Sequence, residues 1–205
     1  MKGTTFQCAA LAVAAFVVGA TSVALRTRRP PSGEPRAAPA PQRAASRACP
    51  LADPSIVVRK AQRRLELFSA TTLVRACPIA LGSRPAGHKQ REGDRRTPEG
   101  NYIVCVKNPA SRFTLSLGLS YPSAHDAALG LAAGAISQEQ GEQIARAARE
   151  GKQPPWDTPL GGEIFIHGGG AGGRDWTLGC IAVDDEDIRL LYRAVPIGTP
   201  VTILP

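Results

Sequence analysis

From Ile56 onward the chain is punctuated by short runs of β-branched and aliphatic residues, spaced about ten residues apart, and this rhythm confines it to a fold made mainly of short strands. The runs are Ile56–Arg59, Arg64–Phe68 with period-two alternation, Leu73–Leu81, Asn101–Lys107 and Pro200–Leu204, each bounded by Gly, Pro, Ser or Asp. Two more short apolar runs, Ile164–Ile166 and Ile181–Val183, flank a glycine-rich gap. Strands this short must pair with many partners, so the expected fold class is mainly β, a sandwich or barrel-like domain with two or three short helices. One helix begins at Ser137, where Ser137-Gln138-Glu139-Gln140 forms a capping box, and ends with Gly151 at C′. A second is expected over Asp185–Arg193, capped by Asp184, with an acidic first turn that suits the helix dipole.

The N-terminal quarter is different in kind. Cys8–Leu25 is an apolar run preceded by Lys2, and residues 1–25 are expected to be a secretory signal peptide or an N-terminal membrane anchor. Gln7 before Cys8 is unlike the small residue of a lipid-attachment site. Residues 26–53 form a Pro-, Ala- and Arg-rich linker with no hydrophobic period. Residues 26–48 hold six arginines against one acid, Glu34, so this stretch carries most of the net charge of +8, and it could hover near an anionic membrane surface. From residue 49 the chain holds 18 basic and 16 acidic residues, and no basic stripe with interleaved aromatics argues for nucleic acid as a partner. The expected domain is 54–205, exported to the periplasm or cell envelope. There a bridge among Cys49, Cys77 and Cys105 is chemically allowed, Cys49–Cys77 being preferred because Cys49 sits at the domain entry.

The chemistry concentrates in IFIHGGGAGGRDWTLGCIAV, where His167 and Cys180 stand thirteen positions apart across the glycine-rich gap. A histidine ending one strand and a cysteine starting the next can face each other. A neutral imidazole near a thiol can take its proton, and the thiolate is the nucleophile. The carbonyl of Gly168 could orient the imidazole through its second nitrogen, with Asp175 and Glu163 as alternatives. The N–H groups of Gly179 and Cys180 could meet a developing oxyanion, and Thr177 offers a hydroxyl. His88 and His125 sit in polar contexts and read as loop residues. Neither CxxC nor HExxH occurs, so no metal or other cofactor is expected. The loop Gly93–Gly100 ends in a Thr97-Pro98-Glu99-Gly100 turn, and Arg95 or Arg96 in it could meet a substrate carboxylate.

Together these motifs resemble the L,D-transpeptidase catalytic domain of YkuD type. The segments that carry the resemblance are Ala80–Tyr102, SLGLSYP at Ser116–Pro122, Pro154–Gly170, DWTLGCIAVDDEDI at Asp175–Ile188, and the PIGTPVTILP end. The resemblance covers roughly residues 54–205 and is strongest to a branch that trims or releases peptidoglycan cross-links. It implies Cys180 as nucleophile, His167 as base, Gly168 as support for that base, Thr177 and Gly179 as the residues shaping the nucleophile's turn, and a weaker substrate-binding role for Arg95, Arg96 and Tyr121. It also implies peptidoglycan stem peptides as partners, and cross-linking through a cysteine thioester as the reaction. Hydrolysis of cross-links or of attached-protein links at the same site, and an inactive wall-binding module, are the alternatives. The chain departs from many members at Leu178, where a second histidine is common, and at Ala182 and Val183, where Arg or Asn is common. Its His-to-Cys loop is also shorter.

Overall fold

The computed structural model describes residues 51–205. The expected export segment 1–25, nearly all of the linker 26–53, and Cys49 therefore lie outside the described residues.

The described residues contain eight strands and three helices: β1 Pro54–Arg59, β2 Arg64–Ser69, β3 Thr72–Pro78, β4 Gly100–Asn108, β5 Ser116–Leu119, α1 Ala124–Ala132, α2 Gln138–Arg149, β6 Phe165–His167, β7 Ile181–Ala182, α3 Asp185–Ala194 and β8 Pro200–Leu204. The strands form one mixed sheet in the order β3-β2-β1-β8-β4-β5-β6-β7. Strand β4 is shared between two partners. Its first half, Gly100–Ile103, pairs with β8, and its second half, Val104–Asn108, pairs with β5 across a register shift at Cys105. A bulge of this kind bends and twists a strand, so the sheet curls at β4. Beyond β3, Ala80 pairs with Ala182 and Gly82 with Thr177, which brings the two ends of the strand order together. The mainly β, barrel-like expectation holds in this curled sheet.

Alternation explains the core. Ile56 and Val58 of β1, Leu65 and Leu67 of β2, Val104 of β4, Ile166 of β6 and Val201 and Ile203 of β8 are essentially inaccessible, and Ile188 and Leu191 of α3 pack on the same cluster. Each such side chain contributes about 1.5–3 kcal/mol by leaving water. A separate small cluster of Ala127, Ile136, Ile144 and Leu160 joins α1 to α2.

The capping signals read well at α2. Ser137 and Gln140 make both reciprocal bonds, and Gly151 takes φ of +63° just past the cap. At α3 the outcome differs. Asp184 is the N-cap residue but makes no side-chain cap bond, because its Oδ1 accepts the Ala171 N–H of the glycine loop at 3.1 Å instead. Helix α1 is absent from the sequence expectation; Ser123 and Asp126 form its capping box within a segment of weak amphipathicity. The TPEG segment is not a turn. It runs extended into β4, with the Thr97 carbonyl and the Glu99 carboxylate both taken by the buried Lys60 ammonium at 2.9 and 2.7 Å. The turn lies earlier, where Lys89 and Asp94 pair at 3.0 Å. Cys77 and Cys105 are free thiols. Burial lifts Cys77 to about 12 and Cys105 to about 11, which makes both poor nucleophiles; the pairing Cys49–Cys77 involves a residue outside the described ones.

Candidate active site

Strand β6 lies parallel to β7, with Ile166 opposite Ile181 and His167 opposite Ala182. Side chains alternate across a strand. Ile166 and Ile181 therefore point into the core, while His167 and, two residues before Ala182, Cys180 share the other face. Both residues line one open groove of about 1090 Å³, together with Phe113, Trp156, Trp176, Leu178, Lys89 and Arg95.

The imidazole is held on three sides. Phe113, from the β4–β5 loop, stacks on it with ring centroids 4.3 Å apart and planes 19° apart. Trp176 meets it edge-on at 5.7 Å. Its Nδ1 lies 2.6 Å from the Gly168 carbonyl oxygen. A carbonyl oxygen only accepts, so Nδ1 carries the hydrogen and Nε2 keeps the lone pair. Burial lowers the pKa of His167 more than the Gly168 bond raises it, and the nearby Arg112 lowers it further. The ring is thus neutral and basic at neutral pH.

The half-buried thiol accepts the Phe165 N–H at 3.4 Å and donates to the Glu163 carbonyl at 3.4 Å. Burial pushes its pKa up and the Glu163 charge adds to that, against the Phe165 bond and the charges of Lys89 and Arg112. The pair therefore rests as thiol and neutral imidazole, not as a preformed ion pair, and no hydrogen bond joins the two side chains at rest. Of the two acids considered as orienters, Asp175 is occupied elsewhere, pairing with Arg63 at 2.7 Å and accepting the Leu81 N–H at 2.9 Å. Glu163 acts through its carbonyl on the thiol rather than through its carboxylate on the imidazole.

The turn before Cys180 is built by Thr177 and Gly179. Thr177 Oγ1 donates to the Cys180 carbonyl at 2.7 Å and accepts the Gly179 N–H at 3.1 Å. That second bond corrects the expectation that the Gly179 N–H points at an oxyanion. Gly179 serves by its backbone: φ is +142°, and a Cβ there would meet the Arg96 carbonyl oxygen at 2.9 Å. Only glycine takes both the conformation and the contact.

The candidate substrate-binding residues separate. Arg95 is exposed on the groove. Arg96 is not among its lining residues; its guanidinium donates to the His88 carbonyl at 3.4 Å. Tyr121 is fully buried, and its hydroxyl donates to the Leu160 carbonyl at 3.1 Å. It is a core residue, because the β5 end and the α1–α2 layer close over it. Tyr121→Phe is expected to cost about 1–2 kcal/mol by stranding a buried carbonyl, read by denaturant unfolding, with unchanged KM. A raised KM would return Tyr121 to the substrate site. His88 is likewise structural, accepting the Glu99 N–H at 3.0 Å, and His125 sits exposed on α1.

Sequence reasoning missed Phe113 and the Glu163–Phe165 backbone. A lone Phe in a loop carries no pattern, and backbone partners have no side-chain signature. Gly168 has a spatial requirement instead of a conformational one. A Cβ there would lie 2.5 Å from Asp185 Oδ1, 2.7 Å from the Phe113 carbonyl oxygen and 3.0 Å from Ile188 Cγ2. Gly168→Ala is expected to destabilise the domain by about 2–4 kcal/mol in denaturant unfolding and to displace the carbonyl that holds His167; an unchanged midpoint would mean that the loop yields freely.

Among the described residues, no group of three or more His, Cys, Asp or Glu side chains is placed to hold a metal ion, and no helix is long and apolar enough to cross a membrane.

A curled mixed sheet carrying a His–Cys pair at neighbouring strand ends defines the class. Residues 53–203 match the family model of the L,D-transpeptidase catalytic domain, YkuD, and the chain belongs to that family. The chain is also similar to solved structures. A point mutant of the helical cell shape determining protein Pgp2 from Campylobacter jejuni is 21% identical with a TM-score of 0.50, over 75% of this chain and 47% of that one. Bd1075 of Bdellovibrio bacteriovorus is 22% identical with a TM-score of 0.46, over 75% and 48%. An L,D-transpeptidase from Mycobacterium smegmatis is 12% identical with a TM-score of 0.45, over 75% and 59%. The chain thus spans about half the length of these proteins. A comparison with curated proteins finds no match.

Proposed function

We propose that the protein is a peptidoglycan L,D-transpeptidase that works through a thioester on Cys180. The observation that carries this reading is the shared groove: a half-buried thiol and a buried imidazole of fixed tautomer lie on one face of β6 and β7. In the reaction, His167 Nε2 takes the thiol proton as sulfur attacks a carbonyl of a stem peptide. The tetrahedral oxyanion is received by backbone N–H groups, of which the Cys180 amide is the candidate because Gly179 is engaged by Thr177. Collapse breaks the carbon–nitrogen bond, and the imidazolium returns the proton to the leaving amine. An acceptor amine then attacks the thioester, passes its proton to His167, and releases Cys180 with a new cross-link.

In this reading Arg95 meets a carboxylate of the stem peptide, and the 1–25 segment carries the domain across the cytoplasmic membrane to its substrate, the Arg-rich linker lying near the anionic lipid surface. The deciding experiment incubates the protein with isolated muropeptides, with and without an acceptor amine, and analyses products by mass. Cross-linked product that depends on the acceptor supports the proposal. Loss of peptide with water as the only acceptor overturns it in favour of hydrolysis.

A further inference from the structure

The carbonyl that receives the His167 Nδ1–H belongs to the same peptide group as the Gly169 N–H. That N–H donates to Asp185 Oδ1 at 2.9 Å, while Asp185 Oδ2 accepts the Thr114 hydroxyl at 2.7 Å. A carboxylate, an amide and an imidazole therefore form one continuous chain of hydrogen bonds. We propose that Asp185 is a positioning residue for His167, acting through the Gly168–Gly169 peptide group where a Ser-His-Asp triad has a carboxylate bonded directly to the ring. The assignment rests on His167 serving as the base of Cys180.

The physics is that of polarised hydrogen bonds. An anion at the N–H end of an amide draws electron density toward its carbonyl oxygen and strengthens what that oxygen accepts. A stronger bond at Nδ1 favours the imidazolium that forms when Nε2 takes the thiol proton. No proton moves to Asp185. The Thr114 and Gly169 bonds hold its carboxyl below the usual carboxylate range, so it stays ionised throughout.

The surroundings fit this use. Asp185 opens α3, yet both its oxygens reach out of the helix to the two loops that hold the imidazole. Thr114 adopts a left-handed φ of +70°, a conformation that costs a non-glycine residue energy. Its neighbour Phe113 stacks on the ring and accepts the Gly168 N–H at 3.1 Å through its carbonyl. Gly168 leaves no room for a side chain between Asp185 and Phe113. Other charges face the same groups. Arg189 lies 3.7 Å from Asp185 Oδ2 one turn along α3, Asp184 adjoins it, and Arg112 sits over Phe113 at 4.8 Å. Lys89 and Glu163 act on the thiol. Asp184 bonds Ala171 instead of the 168–169 amide, which makes it the control for a general field.

The test is an NMR titration of the His167 ring in the whole chain, paired with the pH profile of Cys180 alkylation by iodoacetamide. Asp185→Asn keeps the shape and removes the charge. It is expected to lower the His167 midpoint by about half a pH unit, the size of one charge acting at a remove in a partly exposed setting, and to slide the alkylation profile with it. Asp184→Asn is expected to leave both in place. Thr114→Val, which leaves α3 untouched but frees the carboxylate from its loop, is expected to lower the midpoint in the same direction and covers the case of a poorly folded Asp185 variant. An unmoved midpoint in folded Asp185→Asn, or an equal fall in Asp184→Asn, overturns the assignment. Neither readout needs a wall peptide. An absence of transpeptidation with the shift intact therefore counts against the proposed reaction, not against this role of Asp185.

Discussion

Cys180→Ala is expected to abolish turnover, by about 10⁴-fold or more, and to remove every covalent adduct while leaving the fold standing. The sulfur is the only nucleophile the mechanism uses, and the hydroxyl of its own turn does not replace it: the Thr177 hydroxyl is committed to the Cys180 carbonyl at 2.7 Å. Structurally the thiol contributes little. Its partners are one N–H and one carbonyl at 3.4 Å each, and both can turn to water in an open groove. Denaturant midpoints of the variant should therefore lie close to those of the parent. A variant that keeps more than a trace of activity would remove the thioester from the mechanism.

His167→Ala is expected to slow acylation of Cys180 by about 10²–10⁴-fold at neutral pH, the usual worth of a positioned base. The pH dependence separates this from damage to the groove. Burial lowers His167 and raises Cys180 from their ordinary values. The parent's base is therefore neutral at neutral pH, and its rate should change little between there and the thiol's own ionisation. Without the imidazole, acylation depends on the small thiolate fraction and should climb about tenfold per pH unit until the thiol ionises. The variant should thus approach the parent in alkali. A uniform loss at all pH values would mean that the substitution disturbs Phe113 and Trp176 instead of removing a base.

How much of this was legible in the residues depends on what each signal encodes. The period-two run Arg64–Phe68 and the β-branched run Pro200–Leu204 became β2 and β8, because alternation and β-branching both suit a half-buried strand. Ser137-Gln138-Glu139-Gln140 became the α2 start because a capping box satisfies backbone groups locally. Asp184 carried the same kind of signal but was diverted to Ala171, a partner that only the folded glycine loop supplies. The parallel pairing of β6 with β7 and the bulge at Cys105 depend on distant segments and left no local trace. At the site, His167, Cys180 and the glycines between them were readable because their types are chemically unusual side by side. Phe113 and Asp185 were not, since a phenylalanine in a loop and an acid in a first helical turn are ordinary until the fold brings them to one peptide group. Tyr121 misled because it stands in a segment that resembles family members, whereas its buried hydroxyl bonds the Leu160 carbonyl and puts the ring in the core instead of the groove.

The most direct test of the account is the mass of the intact protein after incubation with a carbapenem, whose strained amide is a small acyl donor for an activated thiol, followed by peptide mapping. A single adduct of one inhibitor mass on the peptide that carries Cys180, formed markedly more slowly in His167→Ala, is the predicted result. An unmodified mass after prolonged incubation, or an adduct mapped to Cys77 or Cys105, would contradict it.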